Sequence, residues 1–444
     1  MKRIHNDMRQ IFGKAIEAAR PVRTIHDILS CSEGMLTVSG KGPLLTYNLS
    51  GFSRILICGA GKASAAMARG VEEVLGDTVS GGIVVVKHGH TDTLSRTVIH
   101  EASHPVPDGS CVLGAQKIYE CVAKAGKDDL VIALISGGGS SLLALPAGNI
   151  TLDEKRTATD FLLRSGASIH EMNTVRKHIS DIKGGKLARA AYPAAVLVLV
   201  ISDVVGDNLD VIASGPFSPD NSTYHEALEV IAKYGLQESV PPAVMTHLTQ
   251  GSLGNIPETP KPGDSVFENI TSRIIASNIV SLEAAREEAV RLGYNTIILS
   301  SSIEGDTAET ATWHAAILNE ILASSHPLPR PCCILSGGET TVRVKGNGLG
   351  GRNMEFTLQM ARHLRGKPDA AAGSIGTDGT DGPTDAAGAI ADGGTVNRGN
   401  AINLNIEDFA ARNDSYHYFD KLGDLIRTGP TNTNVMDVRA MIVR

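Results

Sequence analysis

A strand-length apolar run that stops at three glycines constrains this chain more than any other feature. Residues 130–143 read LVIALISGGGSSLL. Val131 through Ile135 are continuously apolar, as a strand covered on both faces requires. Gly137, Gly138 and Gly139 follow, then Ser140 and Ser141, then a helix-like apolar run. A strand that becomes a helix through bare glycines presents backbone N–H groups at the turn, a geometry suited to an anion and above all to phosphate. A tight turn that binds nothing is the alternative, but three adjacent glycines cost more chain entropy than a turn requires. Ser136, Gly137, Gly138, Gly139, Ser140 and Ser141 are the expected phosphate contacts.

The pattern recurs upstream. Residues 54–58 (RILIC) form a short buried strand that runs into Gly59, Ala60, Gly61, Lys62, Ala63 and Ser64. An amphipathic helix follows, with Met67, Val71, Val74 and Leu75 at helical spacing. Two nucleotide motifs fail here. A Walker A loop needs glycine where Leu56 stands and Ser or Thr where Ala63 stands. A dinucleotide fingerprint needs Gly or Ala in place of Ser64 and a carboxylate closing the next strand. That strand, 82–86, ends instead in Lys87, His88, Gly89 and His90, so nicotinamide binding is disfavoured. Gly59, Gly61 and Lys62 remain as a ligand loop, with Lys62 a charge for phosphate or carboxylate, or else a surface lysine.

Further candidates lie along the chain. His104 sits in a loop held extended by Pro105 and Pro107, where a structural and a catalytic role are both open. Arg176, Lys177, Lys183 and Lys186 flank Gly184 and Gly185, as a solvated face or an anion-facing helix break. The buried strand 194–202 empties into Asp203 and Asp207. Carboxylates at that end of a parallel strand sit where α/β folds bind ligands. They are candidates for magnesium or a general base, or for turn chemistry. Residues 257–264 (PETPKPGD) read as a linker. Beyond them, strands are expected near 274–276, 296–300, 332–336, 371–375 and 438–443. Gly337, Gly338 and Glu339 form one loop. Residues 376–385 form another, with Asp378, Asp381 and Asp385 off the EF-hand spacing, which suggests magnesium or polar contacts to a nucleotide. Arg352 after Gly351 has the fork shape of a phosphate or carboxylate clamp.

At 444 residues the chain exceeds one ordinary core. A net charge of −7 without a basic run argues against nucleic acid. No apolar segment reaches membrane-spanning length, and the first twenty residues read as a helix rather than a signal peptide. The six cysteines show no CxxC pair, and Cys58, Cys332 and Cys333 sit in apolar runs, so reduced thiols in a cytoplasmic protein are expected. Short apolar strands alternating with helices indicate the α/β class with a mainly parallel sheet.

Together, SGGGSSLL, MNTVRKHISDIKGGKLA, SDVVGD, SGGETTV, GGRNMEF and GTDGTDGPTDAAGA, in that order, resemble the class II glycerate kinases from about residue 55 to the C-terminus. The resemblance implies two α/β domains with mainly parallel sheets and a cleft between them. A larger Rossmann-like domain would span 1–260, and a smaller C-terminal domain, called MOFRL, 265–444. It implies transfer of the γ-phosphoryl of ATP to the 2-hydroxyl of D-glycerate, giving 2-phospho-D-glycerate and ADP, with Mg2+. The family's paired basic residues match Lys62 and Arg352, and Asp203 joins them as the third catalytic candidate. Asp203 and Asp207 are the metal candidates. Gly59, Gly61, the 136–141 loop, Gly337, Gly338, Glu339 and Asp378 would contact the nucleotide. Some relatives carry the label hydroxypyruvate reductase. That NAD(P)H-dependent activity is the alternative, and the failed dinucleotide fingerprint disfavours it. The expected partners are small molecules, with neither nucleic acid nor membrane; oligomeric state is not legible.

Overall fold

The computed structural model describes residues 2–40 and 42–444, the side chain of Lys2 excepted. Two compact units emerge, Pro21–Ile275 and a second made of residues 2–20 with Ala276–Arg444.

The first unit opens with a three-stranded antiparallel meander, β1 Leu29–Ser32, β2 Met35–Val38 and β3 Leu45–Asn48. Its main sheet holds β4 Arg54–Ala60, β5 Gly81–Lys87, β6 Thr97–Ala102, β7 Asp129–Ile135, β8 Ala195–Ile201 and β9 Ile270–Ala276. The order is β6-β5-β4-β7-β8-β9, and every pair from β6 to β8 is parallel. All seven residues of β7 are buried, so its apolar run faces protein on both sides, as expected of a central parallel strand. From β4 the chain winds outward through β5 and β6, then returns to the other side of β4 for β7 and β8. The reversal falls between β4 and β7, and ligand crevices form outside the strand ends at such a point. A separate helical cluster gathers Leu152–Arg164, Ile169–His178, Tyr224–Lys233 and Pro242–Ser252 around Leu162, Val175, Ile231 and Leu248. The first three of these helices carry complete capping boxes, Thr151 with Glu154, Ser168 with Glu171 and Thr223 with Glu226.

The second unit is a three-layer α/β structure. Its strands are β10 Asn295–Ile298, β11 Cys332–Gly338, β12 Ala370–Gly376, β13 Gly388–Asp392, β14 Leu425–Ile426 and β15 Asp437–Val443, in the order β10-β11-β15-β12-β13-β14. The strand period of two divides its core. Cys332, Ile334, Met441 and Val443 face one helical layer, and Cys333, Leu335, Ala440 and Ile442 the other.

Three expectations are corrected. The α/β class holds, but parallel pairing is confined largely to the first unit's sheet. In the second, β15 runs antiparallel to both β11 and β12, and β13 antiparallel to β12 and β14. The loop from β12 to β13 is too short for a crossover helix, so β13 must return antiparallel. The strand expected near 274–276 to begin the second domain is β9, the edge of the first unit's sheet, so the chain passes between units at Ile275 and Ala276 rather than in the prolines of 257–264. Finally, the N-terminal helix Lys2–Ala18 belongs to the second unit. It buries Ile4, Met8, Ile11, Phe12, Ala15 and Ile16, one helical stripe, in the cluster containing Leu282, Ala285 and Ala289 of helix Asn278–Arg291. The Ser281 hydroxyl donates to the Ala15 carbonyl at 2.8 Å, and the Tyr294 hydroxyl to Asp7 at 2.6 Å. Truncating Phe12, 1% exposed, should therefore destabilise the second unit. Urea titration of Phe12→Ala is expected to show a loss of about 3–5 kcal/mol; a change near zero would mean that this helix is not integral to the unit.

Candidate active site

In the first unit the two glycine loops meet where the sheet reverses. β4 and β7 approach so closely that a Cβ on Gly59 would lie 2.3 Å from the Leu134 carbonyl oxygen. At Gly61, with φ +144°, it would lie 2.1 Å from Ser136 Oγ. Only glycine accommodates both the approach and the backbone angle. The loops are then stitched together: Lys62 N–H donates to the Gly137 carbonyl at 2.9 Å, Ser136 N–H to Ala60 at 3.2 Å, and Ala63 N–H to Ser136 Oγ at 3.0 Å. Ser136, expected as a phosphate contact, is therefore an internal brace, buried and bonded to the opposing loop.

The turn after β7 is shorter than anticipated. Its helix is a single turn, Gly139–Leu142, too short for much of a macrodipole. Anion-binding capacity lies in individual N–H groups instead. Those of Gly139 and Ser141 close on the carbonyls of Ser136 and Gly138. Those of Gly137, Gly138 and Ser140 have no hydrogen-bond acceptor among the described residues. Around them stand three side chains. A Cβ on Gly138 would lie 3.1 Å from the His104 ring and 3.5 Å from Lys62 Cγ, and one on Gly137 would lie 2.2 Å from Asp203 Oδ2. Lys62, His104 and Asp203 thus converge on the glycine loop. Burial, then the charge of Lys62, lowers the His104 pKa to about 4, with Lys87 and His90 adding to the effect; the imidazole is neutral at pH 7. Asp207 lies further along the turn after β8, with φ +56°. Among the described residues no three His, Cys, Asp or Glu side chains cluster closely enough to cage a metal.

A brace beneath the loop escaped the sequence reading. Ser140 Oγ lies 2.8 Å from Ser214 Oγ, which bonds Asn173 Oδ1 at 3.0 Å. Ala213 and Ser214 both adopt left-handed backbone, φ +52° and +61°, a strain of roughly 1–3 kcal/mol each that local bonds must offset. Lys183, 2% exposed, spans the two segments, its ammonium donating to the Ser140 carbonyl at 2.8 Å and the Ala213 carbonyl at 3.3 Å. Burial, reinforced by Arg176, lowers its pKa to about 7. The cations near Gly184 and Gly185 were visible in sequence as a cluster, but their convergence on the 140 turn was not.

In the second unit Arg352 opens helix Arg352–Leu364. Its Nε donates to Asp437 at 2.7 Å and its Nη1 to Glu339 at 2.7 Å. Burial opposes the charge, but the two carboxylates raise the pKa and hold the guanidinium cationic. Asp437, fully buried, also accepts from Asn353 Nδ2 at 2.9 Å and Arg439 Nη2 at 3.2 Å. Asp381 caps the helix by accepting the N–H groups of Asn353 at 3.0 Å and Met354 at 2.8 Å; burial raises its pKa to about 6. Gly337 and Gly338, expected as phosphate contacts, are buried β11 residues whose bare Cα atoms admit Asn278 and the Ile303 backbone. Asp378 accepts the Thr380 N–H at 3.0 Å, a turn-forming bond. Asp385 pairs with Arg427 at 3.0 Å. Lys62 and Asp203 belong to one unit, and Arg352, Glu339 and Asp378 to the other.

Sequence comparison identifies this architecture, a doubly wound unit with facing glycine loops and a second unit holding a carboxylate-braced arginine, as that of a phosphotransferase. The family described as a domain of unknown function, DUF4147, matches residues 7–249, and the MOFRL family matches 332–437. The glycerate 2-kinase of Pyrococcus horikoshii is 40% identical over 442 residues, 98% of each chain. A putative hydroxypyruvate reductase of Agrobacterium vitis is 45% identical over 392 residues, 88% of this chain and 87% of that one. The crystal structure of the glycerate kinase of Thermotoga maritima superposes with a TM-score of 0.89 at 38% identity, covering 100% of both chains. The chain belongs to the glycerate kinase family with a C-terminal MOFRL domain. Among the described residues no helix is long and apolar enough to cross a membrane.

The neutrality of His104 has a measurable consequence. Its folded pKa of about 4 lies below an unfolded value of about 6.5. Between these values the unfolded chain binds the extra proton, so the group's contribution is fully present above pH 6.5 and is lost as pH falls toward 4. Denaturant titrations at pH 4.5 and 7.5 should show a smaller pH dependence in His104→Gln than in the wild type, by roughly 2–3 kcal/mol. Identical slopes would mean that this imidazole is freely protonated.

Proposed function

We propose that the protein is an ATP-dependent D-glycerate 2-kinase, transferring the γ-phosphoryl group of ATP to the 2-hydroxyl of D-glycerate to give 2-phospho-D-glycerate, ADP and a proton. The observation carrying this reading is the convergence of Lys62, Asp203 and the free N–H groups of Gly137, Gly138 and Ser140 at the sheet's reversal point. Phosphoryl transfer asks little covalent chemistry of a protein. It asks for in-line positioning and compensation of charge on the moving group. The glycine-loop N–H groups would cradle phosphate oxygens, with Lys62 supplying fixed charge beside them. Arg352 commits Nε and Nη1 to Asp437 and Glu339, which orients the guanidinium and leaves Nη2 for a substrate oxygen. Glu339 therefore acts by positioning Arg352 rather than by touching nucleotide. His104, neutral beside Lys62, keeps a hydrogen-bonding group in the site without a further charge.

A bound magnesium ion would supply positive charge to offset the nucleotide phosphates. The residues fit it: Asp203, with Asp207 on the same turn, offers the one or two carboxylates that magnesium takes while retaining water and phosphate ligands, and a cage of three protein ligands is not needed.

Hydroxypyruvate reduction is the second reading, favoured by the name of the Agrobacterium vitis relative, a putative hydroxypyruvate reductase. Against it, Ser64 stands where the fingerprint needs Gly or Ala, and its buried hydroxyl donates to the Leu134 carbonyl at 3.0 Å. β5 closes on Lys87 rather than a carboxylate.

The deciding experiment measures ADP release with D-glycerate and NADH or NADPH loss with hydroxypyruvate, with phosphorus NMR assigning the product as the 2-phospho isomer. ADP release without nucleotide oxidation is expected, and the reverse result would establish the reductase. Lys62→Ala should lower turnover by about two orders of magnitude or more, the usual size for one preorganised electrostatic group, with an unchanged unfolding midpoint. Arg352→Lys keeps the charge and loses the fork. Its turnover should fall by about a hundredfold with little change in the KM for ATP. Retained turnover with only a lower Tm would make Arg352 a packing residue.

A further inference from the structure

Beside the glycine loop the first unit holds a pocket of about 770 Å³, within the range of cofactor and drug-sized sites and far larger than a three-carbon acid needs. Ser140, Ser141 and the Pro105–Pro107 segment next to His104 line one side and tie it to the loop. Three basic side chains, Lys155, Arg176 and Lys183, line the pocket. Burial lowers the pKa of Lys155 well below the ordinary lysine value and that of Lys183 to about 7, which leaves Arg176 as the fixed charge. Lys155 is buried and donates to the Ile179 carbonyl at 2.7 Å, and Lys183 donates to the two carbonyls described above. Neither meets a carboxylate. Arg176, at the end of helix Ile169–His178, is partly buried and makes no hydrogen bond or ion pair among the described residues. The pocket's carboxylates do not offset this charge, because Asp153 is paired with Arg156 at 3.3 Å and Asp160 with Arg164 at 2.9 Å. Val106 of the Pro105–Pro107 segment, 55% exposed, and Leu163, 61% exposed, add aliphatic surface to the lining.

A half-desolvated guanidinium without an acceptor costs stability. A fold that keeps one in the lining of a cavity, with no carboxylate to meet it, suits an anionic ligand. Exposed aliphatic groups in the same lining fit the flat, apolar part of that ligand. A small hydroxy acid supplies the anion but nothing for the aliphatic groups, whereas a nucleotide supplies both.

We propose that this pocket binds the nucleoside triphosphate, with Arg176 clamping its phosphate chain and Val106 and Leu163 covering its base. The assignment rests on the kinase reading for the identity of the ligand but is tested without turnover. Binding of ATP, inorganic triphosphate and adenosine to the full chain is measured by calorimetry, with D-glycerate absent, for wild type, Arg176→Gln and Arg176→Lys. Arg176→Gln should weaken ATP and triphosphate at least tenfold and leave adenosine within about twofold; Arg176→Lys should recover part of the loss. Because the arginine has no protein partner, Tm should be unchanged or higher in Arg176→Gln. Unchanged ATP affinity with a lowered Tm would overturn the proposal and make the residue structural. So would unaltered ATP affinity with a raised KM for D-glycerate, which would give the pocket to the acid. ATP binding that depends on Arg176 in a chain releasing no ADP with D-glycerate would sustain the pocket and refute the kinase reading. Normal ADP release with an unaltered KM for ATP in Arg176→Gln would do the opposite.

Discussion

The close approach of β4 and β7 is the constraint on which the first unit depends. Two parallel strands whose C-terminal ends both turn into glycine loops leave no room for side chains between them. Glycine at 59 and 61 removes the obstruction, and Ser136 fills the gap with a hydroxyl that accepts the Ala63 N–H. Backbone hydrogen bonds from Lys62 to Gly137 and from Ser136 to Ala60 then fix the two loops as one body. Lys62 owes its place to this lock: its main chain is bonded to the loop whose N–H groups its ammonium would assist. A lysine on an isolated flexible loop would have to be ordered whenever it met an anion, whereas here the ordering of its backbone is completed on folding.

Much of this was legible in the chain, for a definite reason. Buried parallel strands announce themselves as apolar runs, and loops at their ends as glycine, so β4, β7 and β8, and the positions of Lys62 and Asp203 in the loops at their ends, were legible from residue type and order alone. What failed was whatever depends on partners distant in sequence. Ser136 reads like its neighbours Ser140 and Ser141, and only its facing loop makes it structural. Gly337 and Gly338 resemble phosphate glycines but are required by Asn278 and Ile303. The N-terminal helix shows a clear apolar stripe, yet periodicity says which face is buried and not which unit buries it. The second sheet's strands near 332–336, 371–375 and 438–443 were expected, but their antiparallel pairing was not, because β13, reading GAIAD, is too short and small-residue-rich to announce itself, and because a C-terminal strand can insert at any position in a sheet.

The two units handle positive charge in opposite ways. Arg352 is surrounded by acceptors: Asp437 and Glu339 hold it, and Asn353 and Arg439 in turn hold Asp437. Such a network fixes direction. Removing one member leaves the others buried and unpaired, so its residues are bound to act together. In the first unit Lys155, Lys183 and Arg176 have carbonyl oxygens or nothing. Burial without a carboxylate lowers the pKa of both lysines, so the positive charge of the pocket rests on the Arg176 guanidinium, although the chain as a whole carries −7.

That difference assigns distinct tasks by energetics alone. A guanidinium already satisfied by two carboxylates gains little from a resting ground-state ligand, and its remaining donor matters most where new negative charge develops, which is the condition for acting in the transition state. An unpartnered cation behaves otherwise. The free protein bears the desolvation cost, and the first anion to arrive removes it, so the gain appears as ground-state affinity. Lys183 couples this affinity to geometry. Its ammonium joins the Ser140 carbonyl to the strained backbone at Ala213, and its pKa of about 7 leaves it only partly charged near neutrality. An anion in the adjoining pocket would favour the protonated form, and a charged ammonium bonds both carbonyls more strongly, so the turn that carries the unpaired N–H groups of Gly137, Gly138 and Ser140 would be held more firmly with an anion bound.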